Sequence, residues 1–204
     1  MSKSRGRILI FCKSPIAGKV KTRLMPAVNA EEARDIYERL LIKSIQTSLS
    51  SETGTVEICC YPDISHPFFS QISREYPVVL RQQIGNDLGE RMHNAINHAL
   101  LEVDWVIVIG TDCPALDVTH LRQAATLLSS SHDAVITPAE DGGYVLIGMS
   151  RSEPQLFTGI LWGTDNVYAE TSKRLESLQW NWHQLDTLWD VDRPEDMARI
   201  QGYL

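Results

Sequence analysis

The chain has 204 residues and a formal net charge of −7, with 43% hydrophobic and 22% charged residues. These values are typical of a folded globular protein, and we predict a single domain over residues 1–204. The acidic balance argues against a nucleic-acid partner, and no apolar run is long enough to predict a membrane span or a signal peptide. The four cysteines lack a regular spacing, so we expect free thiols in a cytoplasmic protein.

Apolar runs alternate with helical patterns along the chain. The predicted strands are Ile8–Phe11, Val56–Tyr61, Val78–Arg81, Val106–Ile109, Ala134–Thr137 and Tyr144–Gly148. The predicted helices are one that follows the N-cap Asn29, one that follows the N-cap Asp117, and Gly89–Leu101, Asn166–Leu178 and Pro194–Ile200. Several strands are apolar without interruption, as expected when helices cover both faces of a sheet. The pattern predicts the α/β class, with a mostly parallel sheet in a three-layer α/β/α sandwich.

The first predicted strand leads into a loop that is strongly cationic for such an acidic chain. The loop contains Gly18 and no acidic residue, and its basic residues are Lys13, Lys19, Lys21 and Arg23. In α/β proteins, a glycine-containing loop at the carboxyl end of the first strand commonly holds phosphate. A nucleic acid would instead favour a broad basic face. The loop therefore predicts a small molecule that carries phosphate.

A carboxylate follows the predicted strand Val106–Ile109. Gly110, Thr111 and Asp112 come directly after this strand, and Pro114 forces a turn. This position lies where open sheets bind ligands, and Mg²⁺ takes one or two carboxylates together with substrate phosphates. Asp112 is therefore interpreted either as a ligand of Mg²⁺ (or Mn²⁺) or as a cap of the next turn.

Two further carboxylates lie near the end of the chain. Asp190 and Asp192 are two positions apart, so their side chains point the same way if the segment is extended. One or both would complete a metal site with Asp112. The alternative is that Asp192, which precedes Arg193 and Pro194, caps the next helix.

A glycine pair separates the strands Ala134–Thr137 and Tyr144–Gly148. Asp141, Gly142 and Gly143 are typical of a hairpin turn. The same glycines also allow the backbone to approach a ligand closely, in which case Asp141 and Tyr144 would reach a sugar or an acceptor hydroxyl. Both interpretations remain open at this point.

The loops before two predicted helices have weaker signals. Asp87 precedes the helix that carries Arg91, and these side chains either contact substrate or belong to an ordinary loop with an N-cap. Thr164 or Asp165 is expected to cap the helix that follows them. The six histidines have no zinc-binding spacing, and the chain contains no G-x-S-x-G elbow and no dinucleotide or P-loop glycine pattern.

The order of these motifs resembles the nucleotide-diphospho-sugar transferase (GT-A) superfamily over nearly the whole chain. K-S-P-I-A-G-K-V-K-T-R-L resembles the opening of the small nucleotidyltransferases, among them the phospholactate and molybdenum cofactor guanylyltransferases. G-T-D-C-P matches their metal aspartate, and D-V-D-R-P-E-D-M resembles their late acidic motif. With G-x-D-L-G-x-R-M and E-D-G-G-Y added, the set is most similar to the radical-SAM/selenodomain-associated transferase family, which is glycosyltransferase-like.

This resemblance implies a GT-A fold and a transferase that uses a nucleotide or nucleotide sugar together with a small-molecule acceptor. The chain departs from the superfamily in two places, since it lacks both the G-x-G-T-R loop and a D-x-D motif after the central strand. The first departure means that base recognition is not carried over. The implied site residues are Lys13, Gly18, Lys21 and Arg23 on the phosphates, and Asp112 with Asp190 or Asp192 on Mg²⁺.

We expect Mg²⁺-dependent transfer of a nucleotidyl group from a nucleoside triphosphate to a phosphorylated acceptor. The loop's four cations suit a triphosphate better than the diphosphate of a sugar donor. Lys21 and Arg23 would stabilise the leaving pyrophosphate, Asp112 would place the metal, and the acceptor would lie over the segment that starts at Asp141. One alternative is glycosyl transfer from an NDP-sugar with Asp141 as base, and another is a non-catalytic nucleotide-binding protein.

Overall fold

A computed structural model describes residues 5–200, 202 and 203. The strands are β1 (Gly6–Lys13), β2 (Thr55–Tyr61), β3 (Val79–Gln82), β4 (Trp105–Ile109), β5 (Ala134–Pro138), β6 (Tyr144–Met149) and β7 (Trp182–Gln184). They form one sheet in the order β3-β2-β1-β4-β6-β5-β7. Strand β6 runs antiparallel to its neighbours β4 and β5, and the other neighbouring pairs are parallel. The sheet is mostly parallel, as predicted.

Helices connect these strands. They are α1 (Ala30–Ser51), α2 (Pro67–Glu75), α3 (Leu88–Ala99), α4 (Val118–Ser130), α5 (Val167–Ser177) and α6 (Met197–Ile200). The two predicted N-caps are confirmed, because the side chain of Asn29 accepts hydrogen bonds from the backbone of α1 and that of Asp117 does the same for α4. Both caps form capping boxes, which satisfy backbone donors that the first helical turn leaves free.

Several features differ from the sequence-based expectations, and one of them is the predicted helix Pro194–Ile200, which is a 3₁₀ turn over Pro194–Asp196 followed by α6. Helix α2 begins at Pro67, a favourable first position, and is absent from the predicted elements because nine residues are fewer than an apolar pattern needs to mark a helix. Strand β7 has three residues and lies at the edge of the sheet, where no apolar run is required. Helix α5 has Asn166 as its N-cap rather than Thr164 or Asp165.

Each face of the sheet has its own hydrophobic core. Ile8 and Ile10 of β1 belong to the core that includes residues of α1, α2 and α4, whereas Leu9 belongs to the core that includes residues of α3 and α5. All five residues of β4 are buried. Burial on both faces explains the uninterrupted apolar strands, and it confirms the predicted three-layer α/β/α architecture.

A third, smaller hydrophobic core packs residues from the first part of the chain against residues 189–200. It consists of the buried side chains of Leu24, Leu40, Trp189, Val191 and Ile200. Leu24 follows the cationic loop and Val191 lies between the two late aspartates. This packing therefore holds the late acidic segment against the loop that follows β1.

The site-forming segments meet at the carboxyl edge of the sheet. Strand β1 has β2 on one side and β4 on the other, and open α/β sheets bind ligands at such a switch point. The segment after β7 returns to this edge along β5 through a bridge between Ala139 and Leu188. The Leu188 N–H also donates a hydrogen bond of 2.9 Å to the carbonyl oxygen of Pro138.

The described part of the chain bears on two expectations from composition, one on membrane-spanning helices and one on the cysteines. None of its helices is long and apolar enough to cross a membrane. The cysteines are free, as expected, and all are buried: Cys12, Cys59, Cys60 and Cys113.

The turn between β5 and β6 provides a test of close backbone packing. Gly142 has a φ of +88°, and a Cβ added there would lie 2.1 Å from the carbonyl oxygen of Asp165. We expect Gly142→Ala to lower the free energy of unfolding by about 3 kcal/mol, since a backbone clash adds to the roughly 1–2 kcal/mol cost of a side chain in the left-handed region. Gly159→Ala is the matched control, because Gly159 has a φ of +72° and its added Cβ would meet nothing within 4 Å. Urea unfolding measures both variants, and equal losses would contradict the prediction.

Candidate active site

A cavity of about 640 Å³ opens at the carboxyl ends of β1 and β4. It combines the loop after β1, the end of β4, the turn between β5 and β6, helix α3 and the late acidic segment. The sequence-predicted residues that line it are Lys13, Lys19, Lys21, Arg23, Arg91, Asp112, Asp141, Gly143, Tyr144 and Asp192. Distant parts of the sequence therefore contribute to one site.

Four predicted site residues do not line this cavity. Gly18 has a φ of +75° and shapes the turn of the cationic loop. Asp87 is the N-cap of α3 and accepts a hydrogen bond of 2.8 Å from the Glu90 N–H, so the helix-cap alternative describes it. Gly142 forms the tight turn described above. Asp190 is half-buried, and its surroundings are described below.

Lys21 is the most enclosed basic residue of the loop. Its backbone is left-handed, with φ 49° and ψ 35°, and its side chain is only 5% exposed. The Nζ atom lies 2.6 Å from Asp112 Oδ1 and also donates to the carbonyl oxygen of Val191. A buried ammonium requires such partners, because an uncompensated charge in the interior is costly. Lys21 thereby connects the loop after β1 to the end of β4 and to the late acidic segment.

Arg23 and Asp192 form a more exposed ion pair. Their closest atoms are 2.6 Å apart, and the arginine side chain is 63% exposed. Solvent screens such a pair, so it contributes little to stability and leaves the guanidinium available to a ligand. The helix-cap alternative for Asp192 is wrong, because Arg193 is the N-cap of the 3₁₀ turn Pro194–Asp196.

Three carboxylates influence one another at the end of β4. The Val191 N–H donates a hydrogen bond of 2.7 Å to the carbonyl oxygen of Asp112, which holds the late segment in place. Burial, together with repulsion from Asp141 and Asp112, raises the pKa of Asp190 to about 6, although Lys21 acts in the opposite direction. Carboxylates whose pKa is raised in this way are frequent where a site binds a cation or transfers a proton.

The turn between β5 and β6 is a hairpin, which confirms the structural interpretation of the glycine pair. Asp141 lines the cavity, and its Oδ1 accepts a hydrogen bond of 2.8 Å from the Gly143 N–H. The Tyr144 hydroxyl is buried, and burial raises its pKa well above the usual value. The ring packs edge-on against Trp162, with the centroids 6.4 Å apart. Tyr144 thus offers its ring to the cavity and does not extend its hydroxyl toward an acceptor.

One wall of the cavity is apolar and aromatic, and the sequence motifs do not predict it. Beside this wall, the Arg91 guanidinium lies 3.9 Å from the centroid of the Tyr61 ring, and its Nε donates to the Gly85 carbonyl oxygen at 3.0 Å. Flat apolar surfaces of this kind bind planar rings. The members of the wall come from several separate elements, so no local pattern marks them: Phe11, Tyr61, Leu88, Met92 and Trp162.

Two polar side chains at the cavity are also absent from the predictions. The Tyr37 hydroxyl accepts a hydrogen bond of 2.6 Å from the Lys13 N–H and donates one of 3.0 Å to its carbonyl oxygen. In the sequence, Tyr37 is indistinguishable from the other residues on the apolar face of α1. Gln83 is only 8% exposed and lies just beyond β3, where its type carries no special signal.

The arrangement is suited to transfer reactions of phosphates. Basic side chains and carboxylates both line the cavity and meet there in two ion pairs, Lys21 with Asp112 and Arg23 with Asp192, so a bound phosphate and an accompanying cation would each find partners of opposite charge. Within residues 5–200, 202 and 203, no group of three or more His, Cys, Asp or Glu side chains is placed to hold a metal ion. A cation at this site would therefore take part of its coordination from the ligand.

Asp190→Asn is expected to stabilise the protein above about pH 6 and to have little effect near pH 4. The carboxyl has a usual pKa of 3.8 and a folded-state pKa of about 6, so its ionisation costs the folded state more than the unfolded state as the pH rises between these values. The gain should be on the order of 1 kcal/mol for this partly exposed group. Thermal unfolding near pH 4 and near pH 8 measures it, with the exposed Asp186→Asn as control. An equal gain in stability at both pH values would show that the ionisation of Asp190 is not its cause.

Comparison with known proteins identifies one family and one curated relative. Residues 44–164, more than half of the chain, match DUF2064, a family described as uncharacterized proteins conserved in bacteria. The 2-phospho-L-lactate guanylyltransferase of Methanosarcina barkeri is 22% identical over 185 residues, which cover 88% of this chain and 80% of that protein.

Solved structures support the fold. A protein of Desulfovibrio desulfuricans G20, assigned to the nucleotide-diphospho-sugar transferases, is 34% identical with a TM-score of 0.85 and covers 93% of this chain and 83% of its own. CMP:2-keto-3-deoxy-manno-octonic acid synthetase, in complex with CTP, is 10% identical with a TM-score of 0.62 and 98% coverage of both chains. Rv0371C of Mycobacterium tuberculosis H37Rv, in complex with manganese, is 13% identical with a TM-score of 0.54 and covers 98% of this chain and 100% of its own.

These comparisons confirm the predicted superfamily, and the names of the relatives agree with the predicted enzyme class, a transferase. The two structures with low identity bear on the fold alone. The match over residues 44–164 and the 34% identity to the Desulfovibrio protein bear on the family. The chain therefore belongs to the DUF2064 family and has the fold of the nucleotide-diphospho-sugar transferases.

Proposed function

We propose that this protein is a metal-dependent nucleotidyltransferase. It would transfer a nucleotidyl group from a nucleoside triphosphate to a phosphorylated small molecule and release pyrophosphate. The observation that carries the proposal is the contact of 2.6 Å between Lys21 and Asp112, which sets the cationic loop directly beside a carboxylate at the switch point of the sheet. A triphosphate needs both groups, cations for its terminal phosphates and a carboxylate that holds a metal ion near the α-phosphate.

In this proposal the loop after β1 holds the triphosphate. Lys13, Lys19 and Arg23 are exposed and line the cavity, so they are accessible to the phosphate oxygens. Lys21 and Arg23 stabilise the pyrophosphate as it leaves, because negative charge accumulates on its oxygens when the phosphorus–oxygen bond breaks. The loop contributes charge and position rather than a nucleophile.

Asp112 and Asp190 fit a divalent cation such as Mg²⁺ or Mn²⁺. Both are hard oxygen donors, and their mutual repulsion contributes to the raised pKa of Asp190, a cost that a cation would relieve. Asp192 is the other candidate for the second ligand, because it lines the cavity and its ion pair with Arg23 is exposed to solvent. The bound ion would withdraw negative charge from the phosphate under attack.

The reaction balances without a covalent intermediate. A phosphate oxygen of the acceptor attacks the α-phosphorus and forms a new phosphorus–oxygen bond, while the bond between the α-phosphorus and the β-phosphate oxygen breaks and pyrophosphate leaves. The acceptor would lie over the hairpin turn near Asp141, and the flanking segments 86–91 and 151–166 would select it. Catalysis would then consist of positioning and charge neutralisation.

The relatives support a nucleotide donor. One relative is named for guanylyl transfer to 2-phospho-L-lactate, an acceptor that carries phosphate, and a structural neighbour binds CTP. A structural neighbour also binds manganese. Each observation belongs to another protein, and together they favour the same class of donor and metal for this site.

Glycosyl transfer is the second candidate, and the Desulfovibrio relative favours it, since that protein is assigned to transferases of nucleotide-diphospho-sugars. The same metal ligands would then hold the diphosphate of an NDP-sugar, and Asp141 would accept a proton from the acceptor hydroxyl. The two reactions release different products, pyrophosphate in one case and a nucleoside diphosphate in the other.

Calorimetry of the protein with Mg²⁺ against nucleoside triphosphates and NDP-sugars tests the donor. We expect a triphosphate to bind in preference to any NDP-sugar, and Asp112→Asn to weaken this metal-dependent binding at least tenfold and to lower pyrophosphate release at least a hundredfold. Release is measured with a panel of phosphorylated acceptors that includes 2-phospho-L-lactate. The exposed Asp186→Asn is the control and should behave like the wild type.

Three outcomes would overturn this proposal in different ways. Preference for an NDP-sugar would establish the glycosyltransferase instead. Tight binding of a triphosphate without turnover on any acceptor would indicate a non-catalytic nucleotide-binding protein. Full metal-dependent binding and turnover in Asp112→Asn would remove Asp112 from the site.

A further inference from the structure

Gln83 is a nearly buried polar side chain in the wall of the cavity. It follows the last residue of β3 and is 8% exposed. Its backbone N–H donates a hydrogen bond of 2.9 Å to the carbonyl oxygen of Cys60. Its side-chain Nε2 donates to two further carbonyl oxygens, that of Cys12 at 3.1 Å and that of Cys59 at 2.7 Å.

These bonds determine the orientation of the Gln83 carboxamide. Both partners of Nε2 are carbonyl oxygens, which only accept, so the nitrogen rather than the oxygen must face them. The two amide hydrogens are thereby used. In the part of the chain that the structure describes, no donor reaches Gln83 Oε1, and this oxygen is not among the enclosed unpartnered polar atoms. A fixed hydrogen-bond acceptor therefore remains available at the cavity.

Gln83 lies where the start of the cationic loop meets apolar and aromatic side chains, since Lys13 pairs in register with Tyr61. Phe11, Tyr61 and Met92 line the same cavity, and the Arg91 guanidinium stacks on the Tyr61 ring at 3.9 Å. This part of the cavity offers flat apolar surface to a planar ring. Phosphate and carboxylate oxygens only accept hydrogen bonds, so Gln83 Oε1 disfavours them, whereas the edge of a nucleobase carries N–H donors.

We propose that Gln83 recognises the nucleobase of the donor, with Oε1 accepting a hydrogen bond from an N–H of the base. The inference rests on the proposed nucleotidyltransferase function and adds the residue that selects among nucleoside triphosphates. If the Gln83 oxygen were removed, a base bound there would have an N–H group without a hydrogen-bond partner. An unpaired buried donor is costly. The cationic loop holds the phosphates independently of this contact.

The test compares Gln83→Met with the wild type by calorimetry in the presence of Mg²⁺. The ligands are ATP, GTP, CTP and UTP, together with inorganic tripolyphosphate, which has phosphates and no base. We expect Gln83→Met to bind the preferred triphosphate about tenfold more weakly and to lose most of the preference among the four bases. Its affinity for tripolyphosphate should be unchanged, which also shows that the variant is folded around an intact loop.

Gln82→Met is the matched control, because Gln82 is exposed, donates to the Pro62 carbonyl oxygen at 3.0 Å and does not line the cavity. It should retain the wild-type preference. An unchanged preference in Gln83→Met would overturn the inference, as would a wild type that binds all four triphosphates no better than tripolyphosphate. In both cases the proposed nucleotidyltransferase function would stand. Failure of the wild type to bind any triphosphate or tripolyphosphate would instead overturn the proposed function.

Discussion

The ion pair between Lys21 and Asp112 is the interaction on which the site depends. It joins the loop after β1 to the end of β4, and the further bond from Lys21 to the Val191 carbonyl oxygen adds the late acidic segment. An ammonium that is only 5% exposed is tolerated because these partners compensate its charge. The left-handed backbone conformation of Lys21 costs conformational energy, and the ion pair together with the surrounding packing stabilises it.

Some of the charged side chains around this pair have partners of opposite charge and others do not, and this difference bears on function. The exposed pair of Arg23 and Asp192 can exchange partners at little cost, since water already screens it. Asp190 is different, because burial and the neighbouring carboxylates Asp141 and Asp112 raise its pKa to about 6. Within the described residues, Asp190 therefore has no ion-pair partner of its own, and neither have Lys13 and Lys19 of the loop after β1. A phosphate ligand that brings a divalent cation would supply charge of the missing sign to the carboxylate and to the two lysines.

Under the proposed function, the recognition of a nucleotide consists of two chemically different tasks. Charge would hold the phosphates, and charge does not distinguish one nucleotide from another. The apolar wall and the oriented oxygen of Gln83 would provide shape and hydrogen-bond direction for the base. Selectivity on a shared fold is expected to reside in such features, because the fold itself is common to transferases with different donors and acceptors.

The sequence by itself determined the architecture and the polar ends of the strands. Uninterrupted apolar strands require a sheet covered on both faces, and the caps Asn29 and Asp117 mark the starts of α1 and α4, because these are local effects of burial and backbone hydrogen bonding. The tertiary structure alone decided which polar residues meet. Asp87 is occupied as a helix cap, the Tyr144 hydroxyl is buried, and Gln83 becomes an oriented acceptor only because strands β1 and β2 bring two carbonyl oxygens to its nitrogen. Contacts between residues so distant in the chain leave no local pattern in the sequence, since they depend on the packing of whole elements.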